Sequence, residues 1–128
     1  MTTVIADTDW KPRAAGLATQ LATDGVLNDP AWASAFAATP RHLFTLRVLA
    51  EDGAPLLAGQ PGWLQAVYSD TALLTQTAPA GDGEQQLPTS SSSKPAVMAV
   101  MLEALDTHPG HRVLEIGTGV RHAVAHDK

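Results

Sequence analysis

The sequence predicts an α/β fold in which an N-terminal helical region leads into the first helix and strand of a doubly wound sheet. Three observations carry that prediction. Before Pro40, alanine-rich segments repeat apolar residues at three- and four-residue spacing behind residues suited to helix caps. Between Pro95 and Leu105, the side chains of Val97, Met98, Met101, Leu102 and Leu105 fall on one helical face. Residues 112 to 116 then read as a buried strand that delivers Glu115 and runs into Gly117-Thr118-Gly119. Doubly wound α/β proteins make room for a nucleotide in this way at the carboxyl end of the first strand.

In chain order, Asp9 is placed to cap a first helix with Pro12 in its first turn and Ala14, Leu17, Ala18 and Leu21 as its apolar stripe. Gly25 supplies its stop. A second helix is marked by Asp29 at the cap and Pro30 at the first helical position, with Trp32, Ala35 and Phe36 facing inward. Pro40 ends it, because the residue before a proline is pushed out of the helical region. Both helices have few large anchors and must pack on something else. Residues 40 to 49 predict an extended or short helical piece, and residues 51 to 62 are turn-rich. In residues 63 to 77 a short strand over Leu73 to Gln76 is the clearest signal. The Pro/Gly/Gln-rich segment from Pro79 to Pro88 predicts a surface loop.

The 128 residues, 45% hydrophobic and 16% charged, suit one domain with a modest core. A formal net charge of −5 without a Lys/Arg cluster gives no electrostatic reason to expect a nucleic acid or a membrane as partner. The absence of cysteine removes disulfides, thiolate metal sites and thiol nucleophiles. The first ten residues lack the basic and apolar regions of a signal peptide, and no stretch approaches the roughly 20 apolar residues of a membrane span. A cytoplasmic setting is the resulting expectation.

The serine run 90 to 93 has two compatible readings. As a linker and cap, Ser92 or Ser93 would accept backbone N–H bonds of the following helix. As a ligand site, hydroxyls at a helix N-terminus would hold a carboxylate or another polar group. His108, His111, His122 and His126 have spacings that metal sites use. However, the first two bracket the Pro109-Gly110 turn, and the expectation is that no metal binds. His42 is expected to pack or hydrogen-bond rather than act as a base.

Three segments together carry a family resemblance: PRHLF at 40 to 44, VYSD at 67 to 70, and the pattern Ser93, Pro95, Ala99, Met101, Glu103 followed by VLEIGTG at 113 to 119. In this order they resemble the protein-L-isoaspartate O-methyltransferase family. The longer loop and the PTSSSS entry are similar to actinobacterial members, including ones associated with modified-peptide biosynthesis. The resemblance implies a Rossmann-like fold that uses S-adenosylmethionine to methylate the side-chain carboxylate of L-isoaspartyl residues in proteins or peptides. Ser93 matches the family's active-site serine, and Glu115, Gly117 and Gly119 match its first cofactor-binding motif.

After Gly119 the sequence departs from the pattern. Arg121 stands where the family has a further glycine, and a large cation there is expected to crowd the cofactor. The acidic residue expected about 20 residues on for ribose hydroxyls has no counterpart. This change reads as a frameshift, a truncated product or a fragment, leaving the sheet incomplete and the activity of this form impaired. The expected organisation is a cap region over 1–88, the start of the methyltransferase domain over 89–119, and an off-pattern tail over 120–128. Val113, Leu114 and Ile116 would then lack partners, and the expectation is a chain that is marginally folded, aggregation-prone or dependent on a complementing chain that supplies the missing sheet. The alternative function is an inactive cap-domain fragment that serves only as a binding module.

Overall fold

The computed structural model describes residues 9–50, 52–83 and 85–117. Helix α1 (Trp10–Thr23) buries Ala14, Leu17, Ala18 and Leu21, the stripe its periodicity predicts. Asp9 stands at the N-cap, but its backbone is already helical and its side chain caps nothing. Gly25, at φ 77°, turns the chain left-handed after the helix, and the N–H groups of residues 24 to 27 donate back to carbonyls of residues 20 to 22. Helix α2 (Pro30–Ala38) follows its sequence signals throughout. The Asp29 carboxylate accepts the Ala31 N–H at 2.8 Å, Pro30 opens the helix, and Trp32, Ala35 and Phe36 are buried. The two helices pack on each other.

A 3-10 turn (Arg41–Phe44) leads into strand β1 (Arg47–Leu49), so residues 40 to 49 contain both conformations that the sequence allowed. Strand β2 (Pro55–Leu57), helix α3 (Trp63–Val67), strands β3 (Leu73–Pro79) and β4 (Gln86–Ser92), and helix α4 (Pro95–Leu105) complete the described elements. The four strands form one antiparallel sheet in the order β2-β1-β3-β4. The core joins Leu17, Leu21, Trp32 and Phe36 to Val48, Trp63, Val67, Leu73 and Ala99.

The α/β class and the helical N-terminal region agree with the sequence, but the sheet is a different one from that expected. The surface loop expected over residues 79 to 88 is confined to the exposed turn between Pro79 and Gln86, and its two ends are strand: Pro79 pairs with Gln86, Ala78 with Leu87, and Thr77 with Pro88. Two prolines and a run of serines, all poor strand formers, hide this hairpin from propensity. The cross-strand pairing and the Ala80 N–H bond to the Gln85 carbonyl at 2.9 Å hold it. Because β1 meets β3 only at Leu49 and Leu74, the far part of the hairpin extends past the sheet as a two-stranded ribbon.

Two further expectations are corrected. Residues 112 to 116 are not a buried strand; they pair with no described strand, and Val113, Leu114 and Ile116 are 62%, 84% and 87% exposed. A strand needs a ladder partner, and none of the four described strands pairs with this segment. The apolar face of α4 is buried only through Pro95 and Ala99, with Met98 and Leu102 partly covered, while Val97, Met101 and Leu105 face solvent. Glu103 fixes this helix to the entry of α2: its Oε1 accepts the Asn28 N–H at 2.5 Å and the Asp29 N–H at 2.7 Å. Those bonds, the Asp29 one foremost, hold its carboxyl below the usual range. No helix of the described residues is long and apolar enough to cross a membrane.

Leu21 is fully buried, and Val100 is half exposed on α4. Leu21→Ala is expected to lower unfolding free energy by about 2–5 kcal/mol, and Val100→Ala by less than about 0.5 kcal/mol, as read from urea denaturation. Equal losses at both sites would contradict this core assignment.

Candidate functional site

The 3-10 turn after α2 directs Arg41 into the interior, where its side chain is fully enclosed. Its Nε–H donates to the Val67 carbonyl at 2.9 Å, and a terminal guanidinium nitrogen donates to the Ser93 carbonyl at 3.5 Å. One buried cation thereby joins the PRHLF segment, the VYSD segment and the end of the serine run. Burial lowers its pKa from 12.5 to about 10, opposed by Tyr68 and Asp70, so it stays charged at neutral pH.

Asp70 completes the junction. Its Oδ1 accepts the Ala96 N–H at 2.8 Å and its Oδ2 lies 3.9 Å from Lys94 Nζ. This carboxylate therefore satisfies the first turn of α4 and sits at the positive end of that helix's dipole. The expected cap from Ser92 or Ser93 is corrected accordingly. Lys94 is the N-cap residue and makes no side-chain cap bond, while the serines lie one step earlier, in or just after β4. Ser92 is buried and Ser93 is exposed, and among the described residues the Ser93 hydroxyl has no hydrogen-bond partner.

An aromatic group backs the junction. The Tyr68 hydroxyl lies 2.7 Å from His42 Nδ1, with the imidazole tautomer setting which of the two donates, and it accepts the His42 backbone N–H at 3.4 Å. Trp10 stacks on Tyr68 at 6.5 Å, and the His42 ring meets the Trp63 ring edge-on at 5.9 Å. The Trp63 indole N–H donates to the Thr45 carbonyl at 2.9 Å. Burial lowers the His42 pKa, keeping the ring neutral, and raises that of Tyr68 to about 12. His42 thus packs and hydrogen-bonds, as the sequence led us to expect.

The remaining candidates lie beyond α4. Glu115 is half-buried, and its Oε2 is buried with no hydrogen-bond partner among the described residues. Gly117 has φ 75°, and a Cβ built there would meet open space. An unpaired acceptor beside a glycine turn fits a ligand that brings its own donor and needs the backbone close. Gly119, Arg121, His122 and His126 lie outside the described residues. No hydrogen bond or ion pair among the described residues joins Ser93 to Glu115 or Gly117. The His108 N–H donates to His111 Nδ1 at 3.2 Å, and among the described residues no group of three could hold a metal ion.

Arg41, Tyr68, Asp70 and Glu103 had no assigned role from sequence. Each lies within a segment that carried the resemblance, so the signal was present. What it lacked was the pairing, since Arg41 and Val67 are 26 positions apart and Glu103 and Asn28 are 75.

The model of the family described as protein-L-isoaspartate(D-aspartate) O-methyltransferase (PCMT) matches residues 13–126. A protein of Syntrophus aciditrophicus (strain SB) named protein-L-isoaspartate O-methyltransferase is 34% identical over 109 residues, covering 85% of this chain. The chain spans 38% of the length of that relative.

Two outcomes are expected from the junction. Asp70→Ala should cost about 0.5–2 kcal/mol through the lost cap alone, and Asp70→Asn, which keeps an acceptor for the Ala96 N–H, should recover most of that loss in urea titrations. Because the folded pKa of His42 lies below its ordinary 6.5, the unfolded chain binds more protons as pH falls through 6.5 toward the folded value. Stability should therefore be full above 6.5 and decline below it. The urea midpoint measured from pH 7.5 to 5 should show this slope, and His42→Gln should flatten it.

Proposed function

The chain belongs to the protein-L-isoaspartate(D-aspartate) O-methyltransferase family, and on that premise we propose that it serves the methylation of the side-chain carboxylate of L-isoaspartyl residues in proteins or peptides. The proposed methyl donor is S-adenosylmethionine and the proposed setting is cytoplasmic. One observation carries this reading: the three motif segments, distant in sequence, meet at Arg41 and leave Ser93 exposed at their meeting point.

The substrate carboxylate is ionised at neutral pH, so no base has to remove a proton before it attacks. What the site must supply is alignment of that carboxylate with the methyl group. The Ser93 hydroxyl would donate a hydrogen bond to one carboxylate oxygen and orient the other. Arg41 and Asp70 hold the Ser93 backbone and the α4 entry in place without touching substrate. Glu115 would accept from the amino-acid end of the cofactor through its unpaired Oε2, and Gly117 and Gly119 would let the backbone approach. When bound, the cofactor supplies an electrophilic methyl group on sulfur.

The exposure of Val113, Leu114 and Ile116 favours a second reading, in which this chain binds peptide without transferring a methyl group and relies on another surface to cover those residues. Both readings can be tested with radiolabelled S-adenosylmethionine, an isoaspartyl peptide and its aspartyl isomer. Label on the isoaspartyl peptide is expected, at the impaired rate that the sequence of this form implies. Ser93→Ala should lower kcat/KM about ten- to a hundredfold, as the loss of a hydrogen bond to a charged group implies. No label on either peptide, with heat of peptide binding still measured by calorimetry, would select the second reading. Equal labelling of both isomers would refute isoaspartyl selectivity.

A further inference from the structure

Three aspartates of the chain precede a glycine: Asp24-Gly25, Asp52-Gly53 and Asp82-Gly83. An aspartyl side chain is open to attack at Cγ by the backbone nitrogen of the next residue. Glycine offers that nitrogen with no side chain in the way and with a freely turning backbone. By sequence the three pairs are equally open to this ring closure, but the fold treats them differently.

The first two pairs are tied down. Asp24 stands at the C-cap of α1 with a helical backbone (φ −74°, ψ −4°), and the Gly25 N–H donates to the Ala22 carbonyl at 3.1 Å. The Gly53 N–H donates to the Ala50 carbonyl at 2.9 Å, while Asp52 Oδ1 accepts the Ala54 N–H at 2.9 Å, so the nitrogen and the carboxylate are both held. Closure at either site must first break a hydrogen bond. The chain's one asparagine, Asn28, is restrained in the same manner by Glu103, which accepts from its side-chain amide at 3.3 Å and from the following Asp29 N–H at 2.7 Å.

Asp82-Gly83 lies in the exposed turn between β3 and β4. Among the described residues, neither the Asp82 carboxylate nor the Gly83 N–H has a hydrogen-bond partner. Gly83 also lies outside the left-handed region, whereas Gly25 and Gly53 are fixed there at φ 77° and 82°. Below the turn, the Ala80 N–H bond to the Gln85 carbonyl at 2.9 Å and the pairing of Pro79 with Gln86 close the ribbon. The turn is therefore able to change its own path while the strands stay paired.

We propose that Asp82-Gly83 is the site at which this fold permits spontaneous isomerisation, the aspartyl linkage passing through a succinimide to isoaspartate. In the closing step the Gly83 nitrogen loses its proton and bonds to Asp82 Cγ, and a carboxyl oxygen leaves as water. Water then adds back to the ring. Addition at Cγ breaks the new C–N bond and restores aspartate. Addition at the α-carbonyl breaks the original peptide bond and leaves the chain running through Cβ and Cγ, with the α-carboxylate free. Nothing is oxidised or reduced, the water released is the water consumed, and the backbone gains one methylene at the turn. The reaction needs only water, so it is independent of the activity proposed above.

The test incubates the intact 128-residue chain at neutral pH and physiological temperature without a methyl donor. Isoaspartate at each site is read from resistance to an aspartate-specific endoproteinase and from electron-transfer fragments that mark the extra backbone methylene. Asp82 should isomerise about fivefold or more faster than Asp24 and Asp52, as one backbone hydrogen bond broken before closure implies. In concentrated urea the three rates should converge. Gly83→Ala should abolish the lead of Asp82 and leave the urea midpoint unchanged, because a Cβ there would meet only the Gln85 nitrogen at 3.8 Å and the Ala80 carbonyl at 3.9 Å. Equal rates in the folded chain, a lead by Asp24 or Asp52, or a lead of Asp82 that persists in urea would overturn the inference.

Discussion

The burial of the Arg41 guanidinium is the constraint on which the rest of the junction depends. A cation enclosed in protein must have its hydrogens accepted and its charge answered, or its burial costs several kcal/mol. Arg41 meets that requirement with carbonyls from two separate segments and with the nearby Asp70 carboxylate. Each of those carbonyls would in turn cost about 1–3 kcal/mol if left without its donor. The requirement is thus mutual: the turn after α2, the end of α3 and the end of β4 are each incomplete without the others. The position of Ser93 follows from that mutual requirement and not from any bond made by its own side chain.

Carboxylates do comparable work at two helix ends. Asp70 reaches the first turn of α4, and Glu103, on α4 itself, reaches the N–H groups ahead of α2. In both places a negative charge lies where exposed donors and the helix dipole favour it. α4 is therefore located by polar bonds at both ends while much of its apolar side faces solvent. This explains how a helix with so little buried surface keeps a defined place against the core.

Local features of the sequence were legible where local rules decide the structure. The α2 cap, its first-position proline and its stripe of Trp32, Ala35 and Phe36 are all read within one helix, and all are found. The β3–β4 hairpin was not legible, because Pro79, Pro88 and the serines argue against strand at the local level and only the partner strand overrides them. The serine run was misread as a helix cap: a hydroxyl was expected to supply it, and the cap comes from Asp70. Conversely, residues 112 to 116 have the composition of a buried strand but no ladder, because a strand is defined by its neighbours and not by its own residues. The site residues that matter most for position, Arg41 and Asp70, stood inside recognisable motifs, yet their roles arise only from contacts across 26 and 52 positions.

The Glu103 bonds have a consequence for the order in which this polypeptide acquires structure during synthesis. The donors at the α2 entry leave the ribosome about 75 residues before the carboxylate that satisfies them. Until then α2 holds its start with Asp29 alone. The N-terminal helices therefore wait, half-finished, for the last described helix to arrive, and their final closure is a late, long-range event with a large loop entropy to overcome.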